Sequence, residues 1–141
     1  MGTRSLTHIK DGEDTLVTIY RQYDGYPDGM GIELADILKG KTIVNGFSSD
    51  DQPAFNGMGC LAAQVIKELK DGIGNVYIAV PNANNRWEDY VYEITGEIGQ
   101  EATIKCFDVD SIDKLKLLFE GHPTEFIAWA NQPEPETEEA N

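Results

Sequence analysis

The sequence is poor in the residues that usually announce a function. Among 141 residues it holds three arginines, two histidines and two cysteines, against 25 acidic side chains and a formal net charge of −14. A protein that binds a nucleic acid duplex displaces counterions with a basic stripe, and none can be drawn here, so contact with a nucleic acid polymer is not expected. The two cysteines (Cys60 and Cys106) and two histidines (His8 and His122) lie far apart without metal-ligand spacing, which argues against zinc. Both cysteines fall in apolar, periodic segments and read as buried free thiols rather than a disulfide. No apolar run reaches the roughly 18 residues that would span a bilayer, and Met1 to Ser5 lacks the apolar core of a signal peptide. A cytoplasmic protein without membrane contact is the expectation. Ser-His-Asp order, nucleophile elbow and Walker loop are all missing, so no catalytic residue, metal or cofactor is assigned.

What is present reads as one α+β domain over residues 1–131, followed by an acidic tail over 132–141 with nothing apolar to bury. Residues 3–10 and 16–23 form a hairpin around the turn chemistry of Asp11-Gly12-Glu13-Asp14. In the second run Leu16, Thr18, Tyr20 and Gln22 share one face, and Val17, Ile19, Arg21 and Tyr23 the other. Neither face is uniformly apolar, as when one side of a sheet floors a site. A short helix follows from about Gly31 to Leu38. The clearest helix runs from about Gly57 to Lys70, with Met58, Leu61, Ala62, Val65 and Leu69 at helical spacing and Asn56 as its cap. The apolar run Val76–Val80 predicts a central, buried strand. Tyr90–Thr95 and Ala102–Phe107 alternate as strands. Ile112, Leu115, Leu118 and Phe119 predict a helix capped at Asp110 or Ser111 and closed by Gly121. A last helical turn or two over Thr124–Ala130 docks Phe126, Ile127 and Trp129. The architecture expected is a mainly antiparallel sheet with helices packed on one face. Its core is expected to gather Leu61, Val65, Leu69, Val76, Ile78, Val80, Ile104, Leu115 and Leu118.

Three stretches carry candidate binding chemistry. The segment Tyr20–Gly31 packs three tyrosines, Arg21, two aspartates and three glycines into twelve positions. Turn chemistry explains Asp24, Gly25, Pro27, Asp28 and Gly29, but not the clustering of Tyr23 and Tyr26 with Arg21, groups that stack on rings and hold phosphate. The acidic pair Asp24 and Asp28 fails the EF-hand template, which needs acidic ligands at alternate positions and a terminal glutamate, so a calcium site is not expected. The start of the long helix, Gly57, Met58 and Gly59, offers amide groups to an anion, or else its glycines serve close packing. Arg86 and Trp87 form a hot-spot pair in an asparagine-rich loop, unless the indole folds back on the core.

At the same residues the chain resembles an uncharacterised family of small phage and bacterial proteins. The resemblance rests on Gly2-Thr3-Arg4-Ser5, on Gln22-Tyr23-Asp24-Gly25-Tyr26 and on Asn56 through Gln64, and covers roughly the first two-thirds of the chain. That family implies no activity and no residue roles. It does imply a phage setting, in which compact α+β oligomers sequester nucleotide-derived signals of bacterial defence without turnover. The expectation is a homo-oligomer that binds a small anionic, nucleotide-like ligand through Arg4, Arg21, Tyr23, Tyr26, Gly57, Met58, Gly59, Arg86 and Trp87. Alternatives are an inhibitor binding a host protein through an acidic surface, and an enzyme that cleaves a nucleotide signal.

Overall fold

A computed structural model describes residues 2–46, 53–84, 86–111 and 114–132; the tail beyond residue 132, and Ile112 of the expected helix, lie outside the described residues. The chain folds as a single α+β domain around a six-stranded mixed, mostly antiparallel sheet. Strands β1 (Ser5–Asp11) and β2 (Asp14–Arg21) form the expected hairpin, with Gly12 at φ +64° in its two-residue turn. Strand β5 (Val76–Ala79) pairs with β2 at one edge. On the other side β6 (Tyr90–Thr95) lies parallel to β1, followed by β7 (Thr103–Ser111) and β8 (Lys114–Gly121) at the far edge. A second, two-stranded sheet joins β3 (Thr42–Val44) and β4 (Ala54–Asn56).

Alternation along the central strands divides the sheet into two unlike faces. Ile9 and Ile19 point to the same side as Tyr92, Ile94, Ile104 and Cys106, and all are buried in the main core. Helices α1 (Ile32–Leu38), α2 (Gly57–Leu69) and α3 (Pro123–Ala130) supply the other half of that core. The stripe Met58, Leu61, Ala62, Val65 and Leu69 on α2 is buried as its spacing requires. At the other end of the chain Phe126 is fully buried, and its ring meets Phe119 and Trp129 at centroid distances of 5.1 and 5.3 Å. The space beside Gly31 is taken by the Phe126 ring, 2.5 Å from where a Cβ would stand, so glycine is what lets α1 and α3 approach.

Four expectations need correcting. The predicted helix near Ser111–Gly121 is strand β8: Lys114-Leu115-Lys116-Leu117 alternates, and a bulge facing Cys106 and Phe107 shifts the register. Leu115 is therefore about half exposed at 48%, and Leu118 only partly buried. The run Val76–Val80 forms an edge strand instead of a central one, so Ile78 and Val80 stay exposed while Val76 is buried. Cys60 is an exposed free thiol on the outer side of α2, whereas Cys106 is buried as expected. Asn56 does not cap α2; its side-chain oxygen accepts the Gly46 N–H at 2.6 Å. No helix among the described residues is long and apolar enough to cross a membrane.

Candidate functional site

The nine residues expected to bind a ligand do not all come together. Arg21, Tyr23 and Tyr26 lie at the end of the sheet where β2 finishes and β6 begins, Arg21 facing the helices. Gly57, Met58 and Gly59 open α2 at the opposite end, where the Met58 sulfur packs beside Gly96, just past the end of β6. Six residues of extended strand, about 20 Å, separate these two groups, so one pocket cannot contain both. Arg4, at the same end of the sheet as Arg21, is tied to Asp89: the Asp89 carboxylate accepts the Arg4 N–H at 3.3 Å, and the Asp89 N–H donates to the Arg4 carbonyl at 2.9 Å; Arg86 and Trp87 shortly precede Asp89 in the chain.

Arg21 is fully engaged inside the fold. Its side chain is nearly buried, its Nη1 and Nη2 bond the two Glu33 carboxylate oxygens at 2.7 and 3.1 Å, and its Nε donates to the Tyr23 carbonyl at 2.7 Å. A fork filled by a carboxylate from α1 has no donor pair left for a phosphate. Its role is to join the end of β2 to α1. The Tyr26 hydroxyl is bonded at 2.9 Å to Asp24, whose hydrogen bond and charge raise the phenol pKa. The tyrosine segment is thus a structural corner, closed by the Tyr92 hydroxyl donating to the Gly25 carbonyl at 2.7 Å.

The sheet face turned away from the helices has the composition of a site. Reading across it, Thr18, His8, Glu93, Lys105 and Glu120 stand opposite one another on five successive strands. A parallel row beside it runs Tyr77, Tyr20, Leu6, Val91 and Phe107. Over the junction of these rows opens a cavity of about 360 Å³, lined by His8, Lys10, Glu93 and Val91 from the sheet, Leu115 from β8, and Asn82, Ala83, Asn84 and Glu88 from the loop after β5. Such a volume suits a small ligand, and its walls are mostly polar, with Ala83, Val91 and Leu115 as the apolar part.

The polar groups are held in place by bonds to one another. His8 Nδ1 lies 2.8 Å from Thr18 Oγ1, and that oxygen also accepts the Asn82 N–H at 2.9 Å, fixing loop to strand. The Asn82 side-chain oxygen accepts the Thr15 hydroxyl at 2.5 Å, which leaves its NH₂ to be offered. Lys10 Nζ meets Glu93 Oε2 at 3.4 Å. Burial lowers the His8 pKa below its ordinary value; Glu93 and Glu88 pull it up and Lys10 pushes it down, with burial the largest influence. The imidazole is therefore mostly neutral near pH 7, with Nδ1 occupied and Nε2 remaining for a ligand. The site can donate and accept hydrogen bonds over a small area, with the one cation Lys10 against the carboxylates of Glu88 and Glu93. Among the described residues no cluster of three or more histidine, cysteine or acidic side chains could hold a metal ion.

Sequence reasoning named Arg86 and Trp87, which lie between the lining residues Asn84 and Glu88, but missed His8, Lys10, Asn82, Asn84 and Glu93. The mixed outer face of β2, with Thr18 and Tyr20, was the available signal. No protein-family description, curated protein or solved structure matches this chain.

Proposed function

We propose that this protein binds a small polar ligand in the cavity on the open face of its sheet, and holds it without chemical turnover. The observation that carries the reading is the set of oriented, hydrogen-bonded polar side chains around a cavity of about 360 Å³: His8 locked to Thr18, Lys10 beside Glu93, and Asn82 pinned at both its backbone and its side chain. Pre-oriented polar groups of this kind favour binding, because their rotamers need not be ordered when the ligand arrives. Turnover is not invoked, since the histidine has no assigned reacting partner and no metal cluster is formed by the described residues.

The resemblance to small phage and bacterial proteins gives this reading its context. Sequestration of a nucleotide-derived defence signal in the cytoplasm is the specific form we favour. A lining with one cation, Lys10, against the carboxylates of Glu88 and Glu93 favours signals with little negative charge, such as cyclic mononucleotides. The test is equilibrium dialysis of the native protein against cyclic mono- and dinucleotides, then denaturation and recovery of whatever was retained. Retention at about one equivalent per chain and recovery of the intact compound supports sequestration. Recovery of a cleaved product makes the protein an enzyme, and absence of any retention removes the proposal.

A further inference from the structure

Trp87 lies between the cavity-lining residues Asn84 and Glu88 in the loop before β6, with two unfavourable features that the fold alone leaves without purpose. Its backbone is at φ +63°, a left-handed conformation that bulky residues rarely adopt, and its indole is 80% exposed. Local bonds hold the segment there: the Arg86 N–H donates to a Glu88 carboxylate oxygen at 2.6 Å, and Arg86 Nη1 donates to the Asn84 carbonyl at 3.3 Å. Asn84 and Glu88, the lining residues that precede and follow the indole in the loop, both face the cavity. The indole is thus carried, solvent-exposed, on a loop whose flanking residues Asn84 and Glu88 line the polar cavity.

From this we infer that the ligand is nucleoside-like: a planar heteroaromatic base lying against the Trp87 indole, carrying at most one negative charge. The inference rests on the cavity reading above and adds the chemical class. A base offers alternating donors and acceptors along its edge, and side-chain amides such as those of Asn82 and Asn84 are the groups that match such an edge, with Glu93 to accept from an exocyclic amine. Base–aromatic stacking provides affinity without requiring charge. The charge limit follows from the site itself. Among the lining residues the single cation Lys10 stands against the two carboxylates of Glu88 and Glu93, His8 is mostly neutral, and the whole chain carries −14. A triphosphate would bring several negative charges to a site with no net positive charge, inside an acidic molecule whose field is screened only over about 8 Å at physiological salt.

Tryptophan emission gives a direct test. The second tryptophan, Trp129, stacks on Phe119 at a centroid distance of 5.2 Å, so Trp129→Phe keeps a ring there and leaves Trp87 as the single reporter. Adenosine, guanosine, cytidine, uridine, their 5′-monophosphates and 5′-triphosphates, and ribose 5-phosphate are titrated into this variant, with calorimetry on the unsubstituted protein as a second readout. Saturable quenching by at least one nucleoside is expected. Its monophosphate, with close to two negative charges near pH 7, should bind more weakly than the nucleoside, its triphosphate at least about tenfold more weakly at low salt, and ribose 5-phosphate should leave the emission unchanged. Trp87→Ala should weaken the same nucleoside by roughly five- to 150-fold without lowering Tm, because the ring is exposed. Absence of binding by every base-containing compound overturns the inference, as does a triphosphate that binds best. If Trp87→Ala binds normally while Asn82→Ala does not, stacking is wrong and the cavity reading survives. If a nucleoside binds and neither variant is affected, both readings fall.

Discussion

Arg21 is where the sequence and the folded chain assign opposite roles, and replacing it separates them. As a scarce cation near a tyrosine cluster it should hold a ligand phosphate, and its loss should abolish binding while leaving stability intact. In the fold its side chain is 5% exposed as a residue and makes a two-pronged contact with Glu33, together with a bond from Nε to the Tyr23 carbonyl. Hydrogen bonds to a charged group are each worth about 1.5–3 kcal/mol. Glu33, however, has 48% of its side chain exposed and regains water once the arginine is gone, so the full value of each bond is not lost. Adding the packing of the aliphatic stem, Arg21→Ala should cost about 2–4 kcal/mol, equivalent to a fall in Tm of roughly 6–12 °C for a domain of this size. Arg21→Lys should recover only part of that, since a single ammonium cannot reproduce the fork. Glu33→Gln should cost less than Arg21→Ala, and the double variant should cost less than the sum of the two. Thermal melts and urea titrations measure these losses, and calorimetry measures affinity for any ligand found. An Arg21→Ala protein that melts within about 2 °C of the parent yet no longer binds would refute the assignment to the fold.

Other expectations follow from individual environments. Because burial lowers the His8 pKa, the unfolded chain takes up a proton before the folded one does; stability from this group is complete above its ordinary value of 6.5 and declines as pH falls from there through the lower folded value. His8→Gln should therefore flatten the dependence of stability on pH below about 6.5, and an unchanged acid limb would show that other groups set it. Burial pushes the Cys106 thiol up to about 12, against a smaller downward pull from the Tyr92 hydroxyl, while Cys60 is exposed. A thiol reagent should modify one cysteine in the native protein and both in denaturant, and rapid native reaction at Cys106 would contradict the core packing. Gly31→Ala would force a Cβ against the Phe126 ring at 2.5 Å and should destabilise the protein by about 1–3 kcal/mol, read by chemical denaturation.

The elements that were legible in the sequence are those with one unambiguous period. Helix α2 carries five apolar positions at helical spacing over thirteen residues, and the hairpin β1–β2 has β-branched strands around an aspartate-glycine turn. Strand β8 was misread because its eight residues fit two periods. Leu115, Leu118 and Phe119 suit a helix, while Lys114 to Leu117 alternate, and the bulge disguises the alternation. The run Val76–Val80 is apolar enough for a central strand, yet edge or centre is decided by pairing with distant strands. The same limit hid most of the site. His8 and Glu93 become neighbours only through the parallel pairing of β1 and β6, 85 positions apart by their register, and local pattern says nothing about that. Arg21 failed for an electrostatic reason: in an acidic chain, a scarce cation is as readily taken by an internal carboxylate as by a ligand.

The claim that the open sheet face is the binding site can be tested by chemical-shift mapping of isotopically labelled protein during titration with the nucleoside and cyclic mononucleotide panel. Ligand-dependent, saturable shifts should centre on His8, Lys10, Asn82, Asn84 and Glu93, which line the cavity, and on the Trp87 indole N–H in the adjoining loop. The amides of Tyr23, Tyr26, Gly57 and Gly59 should stay within the background of remote residues. Shifts centred on those amides, or a spectrum that no member of the panel changes, would contradict the account.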